Sequence, residues 1–162
     1  MTSLSSFAGI AGDVSLDING RVWVSGFDNR VYSVLGTAAL NTTPTLVFDS
    51  GIRNFHTPLQ GSDGHVYVPR RTGYLMAFDS SGVVNWVYDP APAIARTLAM
   101  DCGGRLYVEI GDTGAQQQIW VFVTDDKGLG DTGWPNARRD SRNTGNTSAL
   151  KYGIRTGGGC TQ

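Results

Sequence analysis

Apolar and polar residues alternate along short stretches of this chain, and clusters of Gly, Ser and Asp interrupt the alternation at close intervals. A period of two over four to eight residues marks a half-buried β-strand, and the clusters between such runs mark turns. The stretch from Thr72 to Pro90 shows the pattern. Leu75 and Ala77 fall on one side, and Tyr74, Met76 and Phe78 on the other. Ser80-Ser81-Gly82 then predicts a turn, and Val83 to Tyr88 runs back with a large ring at Trp86.

The unit recurs. Asp17–Gly26, Gly61–Arg70 and Met100–Glu109 align, each with an Asp near a Gly and then an apolar–aromatic–Val run. The runs are Val22-Trp23-Val24, Val66-Tyr67-Val68 and Leu106-Tyr107-Val108. Gly20, Gly64 and Gly104 are spaced by 44 and then 40 residues. A second line follows each first one: Asn29–Val34, Gly73–Phe78 and Gln118–Val123, in which Val34, Phe78 and Phe122 are each 44 apart. Outer strands are predicted at Pro44–Asp49 and Val84–Asp89, and the third unit shows no obvious one. Four antiparallel strands in 40–45 residues is the size of one β-propeller blade.

Composition agrees with many short strands. Gly supplies 22 of 162 residues and charged residues only 17%, against roughly 25% charged in ordinary soluble chains. A net charge of −1 gives no field to attract nucleic acid or an anionic membrane. No run of 18 apolar residues exists, so no membrane-inserting helix is expected. The N-terminus lacks the basic start and apolar run of a signal peptide.

Candidate chemistry is sparse. Asp17, Asp63 and Asp101 are read as recurring at one place before the strand, where turn chemistry outweighs a ring of cation-binding carboxylates. His56 and His65 have no third ligand in view and are expected to be surface or satisfied histidines. Gly111–Gln118 lacks the Gly-Lys-Ser/Thr ending of a phosphate loop and reads as a hairpin turn. Arg138, Arg139 and Arg142 beside Asp140 read as a surface network. Cys102 and Cys160 lie in no zinc-type spacing, and the expectation is a half-buried thiol and an exposed tail thiol.

The second unit resembles the repeat of quinoprotein-like (PQQ-like) β-propellers at Asp63, Gly64, Val66, Tyr67, Val68, Ala77, Asp79, Gly82 and Trp86. The likeness spans about Gly12 to Lys127 and is weaker in the outer units. It implies that Trp86 packs between blades. Trp134, Pro135, Arg138, Asp140, Thr144 and Gly145 resemble a segment flanking propellers of bacterial secreted proteins. The dehydrogenases of that family hold their quinone and calcium on the axis of eight closed blades, which three units cannot supply, so no cofactor is expected.

The expected fold is therefore all-β, with about three β-propeller-type blades of four antiparallel strands, closed by a longer chain or by oligomerisation. Residues 1–132 hold the repeats (about 12–50, 56–90 and 95–132), and residues 133–162 a flanking Trp-Pro segment and a Gly-rich tail. The expected function is a non-catalytic interaction or scaffold module, extracytoplasmic and bacterial, meeting a protein partner or itself through open blade faces. A sugar-binding, lectin-like propeller is the alternative. Gly20, Gly64, Gly104, Trp23, Tyr67, Tyr107, Asp79, Trp86 and Trp134 are the expected structural repeat positions.

Overall fold

The computed structural model describes residues 9–35, 45–49, 56–70, 75–89, 94–111 and 117–130. The described residues form three antiparallel sheets and no helix. The first sheet runs β1 (Ser15–Leu16), β2 (Arg21–Ser25), β3 (Arg30–Leu35), β4 (Thr45–Asp49) in spatial order. The second repeats it with β5 (Leu59–Gln60), β6 (Val66–Pro69), β7 (Leu75–Phe78) and β8 (Val84–Tyr88). The third has three strands among the described residues: β9 (Ile94–Met100), β10 (Arg105–Gly111) and β11 (Gln118–Val123). Each is a meander in which every strand pairs with its neighbour in sequence, the construction of a propeller blade.

Registers place equivalent residues at equivalent points. Trp23 pairs with Ser33, Tyr67 with Ala77 and Tyr107 with Val121. The first two pairs sit on the face turned toward the following blade, and the third on the open face of blade three. Blades one and two meet through Trp23, Val31, Val66, Val68, Met76 and Phe78, with Phe48 packed against them. Blades two and three meet through Leu59, Tyr67, Leu75, Ala77, Leu106, Val108 and Ile110, with Trp86, Trp120 and Phe122 alongside. The middle blade is therefore covered on both faces, and every residue of β6 and β7 is buried. The alternation visible in blade three disappears there, as it must when both sides of a strand are removed from water.

A short segment departs from the meander. After β11 the chain turns inward, and Leu129 forms a bridge with Gly61. The Ser62 N–H donates to the Gly128 carbonyl at 2.9 Å, and the Gly130 N–H to the Gln60 carbonyl at 2.9 Å. Residues 126–130 thus lie as a strap along the free edge of β5, and Leu129 is 2% exposed within the core between blades two and three.

Candidate functional site

The turns entering the second strand of blades one and three share one design. In the first, Asp17 Oδ1 accepts the N–H groups of Asn19 and Arg21, each at 2.8 Å. Its Oδ2 accepts the Trp23 indole N–H at 2.8 Å. In the third, Asp101 Oδ1 accepts from the Gly103 and Arg105 N–H groups at 2.8 and 3.0 Å, and Oδ2 from Tyr107 Oη at 2.9 Å. The turn at Asp79 repeats the backbone part, with Ser81 and Val83 N–H groups both 2.9 Å from Oδ1. Gly20, Gly64, Gly82 and Gly104 close these turns with φ of +73°, +93°, +88° and +73°, a conformation costly for any side chain with a Cβ. The carboxylates serve the backbone, and no grouping that could hold a metal ion occurs among the described residues.

Asp63 is not the equivalent of Asp17 and Asp101. Those two stand three residues before the turn glycine, whereas Asp63 stands one before it, at the place of Asn19 and Gly103. The equivalent position in blade two is Gly61, whose N–H donates to the His65 carbonyl as Asp17 N–H does to Arg21 and Asp101 N–H to Arg105. Gly61 has no carboxylate to give. Asp126, on the strap, supplies one: it accepts the Asp63 N–H at 2.6 Å, Tyr67 Oη at 2.5 Å and His65 Nδ1–H at 3.2 Å. A Cβ placed on Gly61 would fall within the Asp126 carboxyl group. Burial, and then the hydrogen bond to Asp126, push the Tyr67 hydroxyl well above its ordinary range. The same substitution occurs locally at Gly26, where Asp28 fills the space and accepts the Tyr32 hydroxyl.

The second candidate feature is the far face of blade three. Val31, Leu75 and Ile119 are spaced 44 apart at one position of the repeat. Val31 and Leu75 are 0% and 1% exposed, and Ile119 is 72% exposed. The difference is that, among the described residues, a following sheet covers the first two and none covers Ile119. Val121 and Val123 share the open face with Ile119 and are also exposed. Thr97, Ala99, Tyr107, Glu109 and Gln117 join Ile119 around a shallow depression of about 460 Å³.

A third feature is a cleft of about 440 Å³ at the junction of blades two and three, lined by His65, Asn85, Trp86, Tyr88, Phe122, Thr124 and Asp125 among others. His65 is half-buried rather than solvent-facing, with Asn85 Nδ2 3.2 Å from its Nε2. Trp86 spans the two blades, its centroid 5.9 Å from Tyr67 and 6.3 Å from Phe122. It is half-buried at the rim of the cleft, on the outer strand β8, and packs against the core between blades two and three.

Of the other expected positions, Trp23 and Tyr67 are buried and Tyr107 is half-buried. Trp134, the Arg138–Arg142 cluster and Cys160 lie outside the described residues. The free-thiol expectation is corrected at Cys102, which is exposed and disulfide-bonded. Spacing could not reveal this, because a disulfide needs proximity in space and not in sequence. Asp126, Gly61 and Leu129 were missed for the same reason: Asp126 and its donors are 59–63 residues apart. The one available signal was the break in the column Asp17, Gly61, Asp101.

No protein-family model and no curated protein matches the chain. Among solved structures it is similar to BBS1N in complex with ARL6DN, in a lead-soaked crystal, at 15% identity and TM-score 0.47, over 68% of this chain and 35% of that one. It is also similar to BamB from Moraxella catarrhalis, at 15% identity and TM-score 0.44, over 74% of this chain and 36% of that one. The chain spans little more than a third of the length of these two structures.

Proposed function

We propose that this chain is a non-catalytic interaction module that docks a protein partner, or a second copy of itself, on the open face of its third blade. One observation carries the reading: Ile119 is 72% exposed at the repeat position where Val31 and Leu75 are completely covered by the next sheet. A row of Ile119, Val121 and Val123 on a sheet face is the kind of contiguous apolar surface that marks an interaction site. The opposite end of the stack differs, since Val24 and Tyr32 on the outward face of blade one are 6% and 8% exposed. This asymmetry favours face-to-face packing of two third blades over a head-to-tail ring. The disulfide at Cys102 supports an extracytoplasmic setting, because such bonds persist in oxidising compartments. The His65–Asp126 pair ends on the Asn85 amide, which is no nucleophile, so the pair suits a structural role.

The test is to place charge on the apolar surface. Ile119→Lys/Val123→Lys should leave the melting temperature unchanged and abolish both concentration-dependent light scattering at micromolar protein and binding of an apolar dye. A wild-type protein that scatters as a 17.3 kDa monomer and binds no dye would overturn the reading.

A second reading, a sugar-binding module, has the inter-blade cleft in its favour. Trp86 and Tyr88 offer ring faces, and Asn85, Thr124 and Asp125 offer hydrogen-bonding groups beside them. A glycan array with no hit that Trp86→Ala removes would dismiss it.

A further inference from the structure

We propose that residues 126–130 are a latch whose carboxylate stands in for the one missing at position 61, and that its seating locks the end of blade three onto blade two. The proposal is independent of any partner. In blades one and three the turn carboxylate comes from the turn itself, at Asp17 and Asp101. In blade two the first turn residue is Gly61, and Asp126 takes over three of the corresponding donors. The correspondence holds for these three. Asp63 N–H takes the part of Asn19 N–H, the His65 side chain that of Arg105 Nε, and Tyr67 Oη that of Tyr107 Oη.

Three glycines make room for the latch. A side chain at Gly61 would occupy the Asp126 carboxyl group, and one at Gly104 would strike the Asp126 carbonyl oxygen. A Cβ at Gly130 would lie 2.7 Å from Gln60 Cγ and 3.0 Å from the Gly61 carbonyl oxygen. The latch is pinned at its root, where Thr124 N–H and Oγ1 both donate to the Gly104 carbonyl, at 3.0 and 2.9 Å. Asp125 and Lys127 between the fixed points are exposed. Lifting the segment withdraws Leu129 from the core and leaves the Gln60 carbonyl and the Ser62 N–H without these partners. Blade two then carries an open inner edge, which closed blades keep covered or short. The carboxylate and the leucine act together: one completes the turn of blade two, and the other ties blade three to it.

Two variants lift the latch from opposite ends, Asp126→Ala and Gly130→Ala. Each should speed tryptic cleavage after Lys127, read by mass spectrometry, by about tenfold or more, as expected when a seated segment opens more often. Each should lower the melting temperature by roughly 5–10 °C. Gly61→Asp should do the same, since two carboxylates cannot share the slot. The decisive variant is Gly61→Asp/Asp126→Ala, which returns the carboxylate to the turn. It should melt higher than Asp126→Ala while cleavage after Lys127 stays fast, because the turn is repaired and the latch is not. A double variant no more stable than Asp126→Ala, or one that does not fold, overturns the proposal. Cleavage after Lys127 at the wild-type rate in both Asp126→Ala and Gly130→Ala overturns it as well.

Discussion

Asp17 is 2% exposed and accepts the Trp23 indole N–H, so the blade-one turn and the core ring are one hydrogen-bonded unit. Trp23→Phe keeps most of the packing and strands a buried carboxylate oxygen. It should cost about 1–3 kcal/mol in a denaturant melt, the usual penalty for an orphaned buried acceptor. Asp101 is the half-buried counterpart, and it titrates. The Arg105 N–H first, with Tyr107, Gly103 and the Arg105 side chain, holds its carboxyl down to about 2, against an ordinary 3.8. A carboxyl whose folded value is depressed stabilises the fold fully above its unfolded value and loses that contribution as pH falls toward the folded one. Stability should therefore decline between about pH 4 and pH 2 in part through Asp101. Asp79 acts in the same direction, held down mainly by the Ser81 hydroxyl. Asp101→Asn should flatten this limb of the acid denaturation curve, and an unchanged limb would show that other carboxylates govern it.

Among elements, matched strand positions give a controlled comparison. Leu75 on β7 and Ile119 on β11 occupy the same point of the repeat; a sheet lies over Leu75 and not over Ile119, and among the described residues β7 is an interior strand and β11 an edge strand. Leu75→Ala should cost about 2–5 kcal/mol, because it leaves a cavity between blades two and three. Ile119→Ala should change stability by less than about 0.5 kcal/mol, as exposed sites do. Urea melts of the pair decide whether coverage or strand identity sets the energy. Trp86 falls between these limits. It contacts Tyr67 and Phe122 across the blade junction but keeps part of its ring in water, so Trp86→Ala should cost about 2–4 kcal/mol. A loss below about 1 kcal/mol would deny it a docking role.

For the molecule as a whole, the stack of three sheets has a covered middle and unlike ends. Both faces of β6 and β7 in blade two are buried, so the two core layers join all three blades into one body. The disulfide at Cys102 adds a covalent restraint at the turn that precedes β10. Reduction should lower the melting temperature in any buffer, by an amount equivalent to about 2–4 kcal/mol. An identical melt with and without reductant would show that the bond restrains nothing in the unfolded chain.

The sequence alone determined the strands, their order and the blade repeat. These follow from local properties: period-two alternation, glycines that permit positive φ, and aromatic–Val runs recurring at nearly constant spacing. It also determined that Asp17 and Asp101 would serve turns, because a side-chain oxygen and an N–H two residues on are neighbours in any tight turn. Tertiary structure decided the rest. Whether Leu75 or Ile119 is buried depends on the next sheet, which no single strand encodes. The pairing of Asp126 with position 61 depends on where the chain goes after β11, and the one local trace of it was a glycine where an aspartate was due. The bonding of Cys102 was misjudged for the same reason. It is set by what approaches through space, while alternation and spacing report only what lies along the chain.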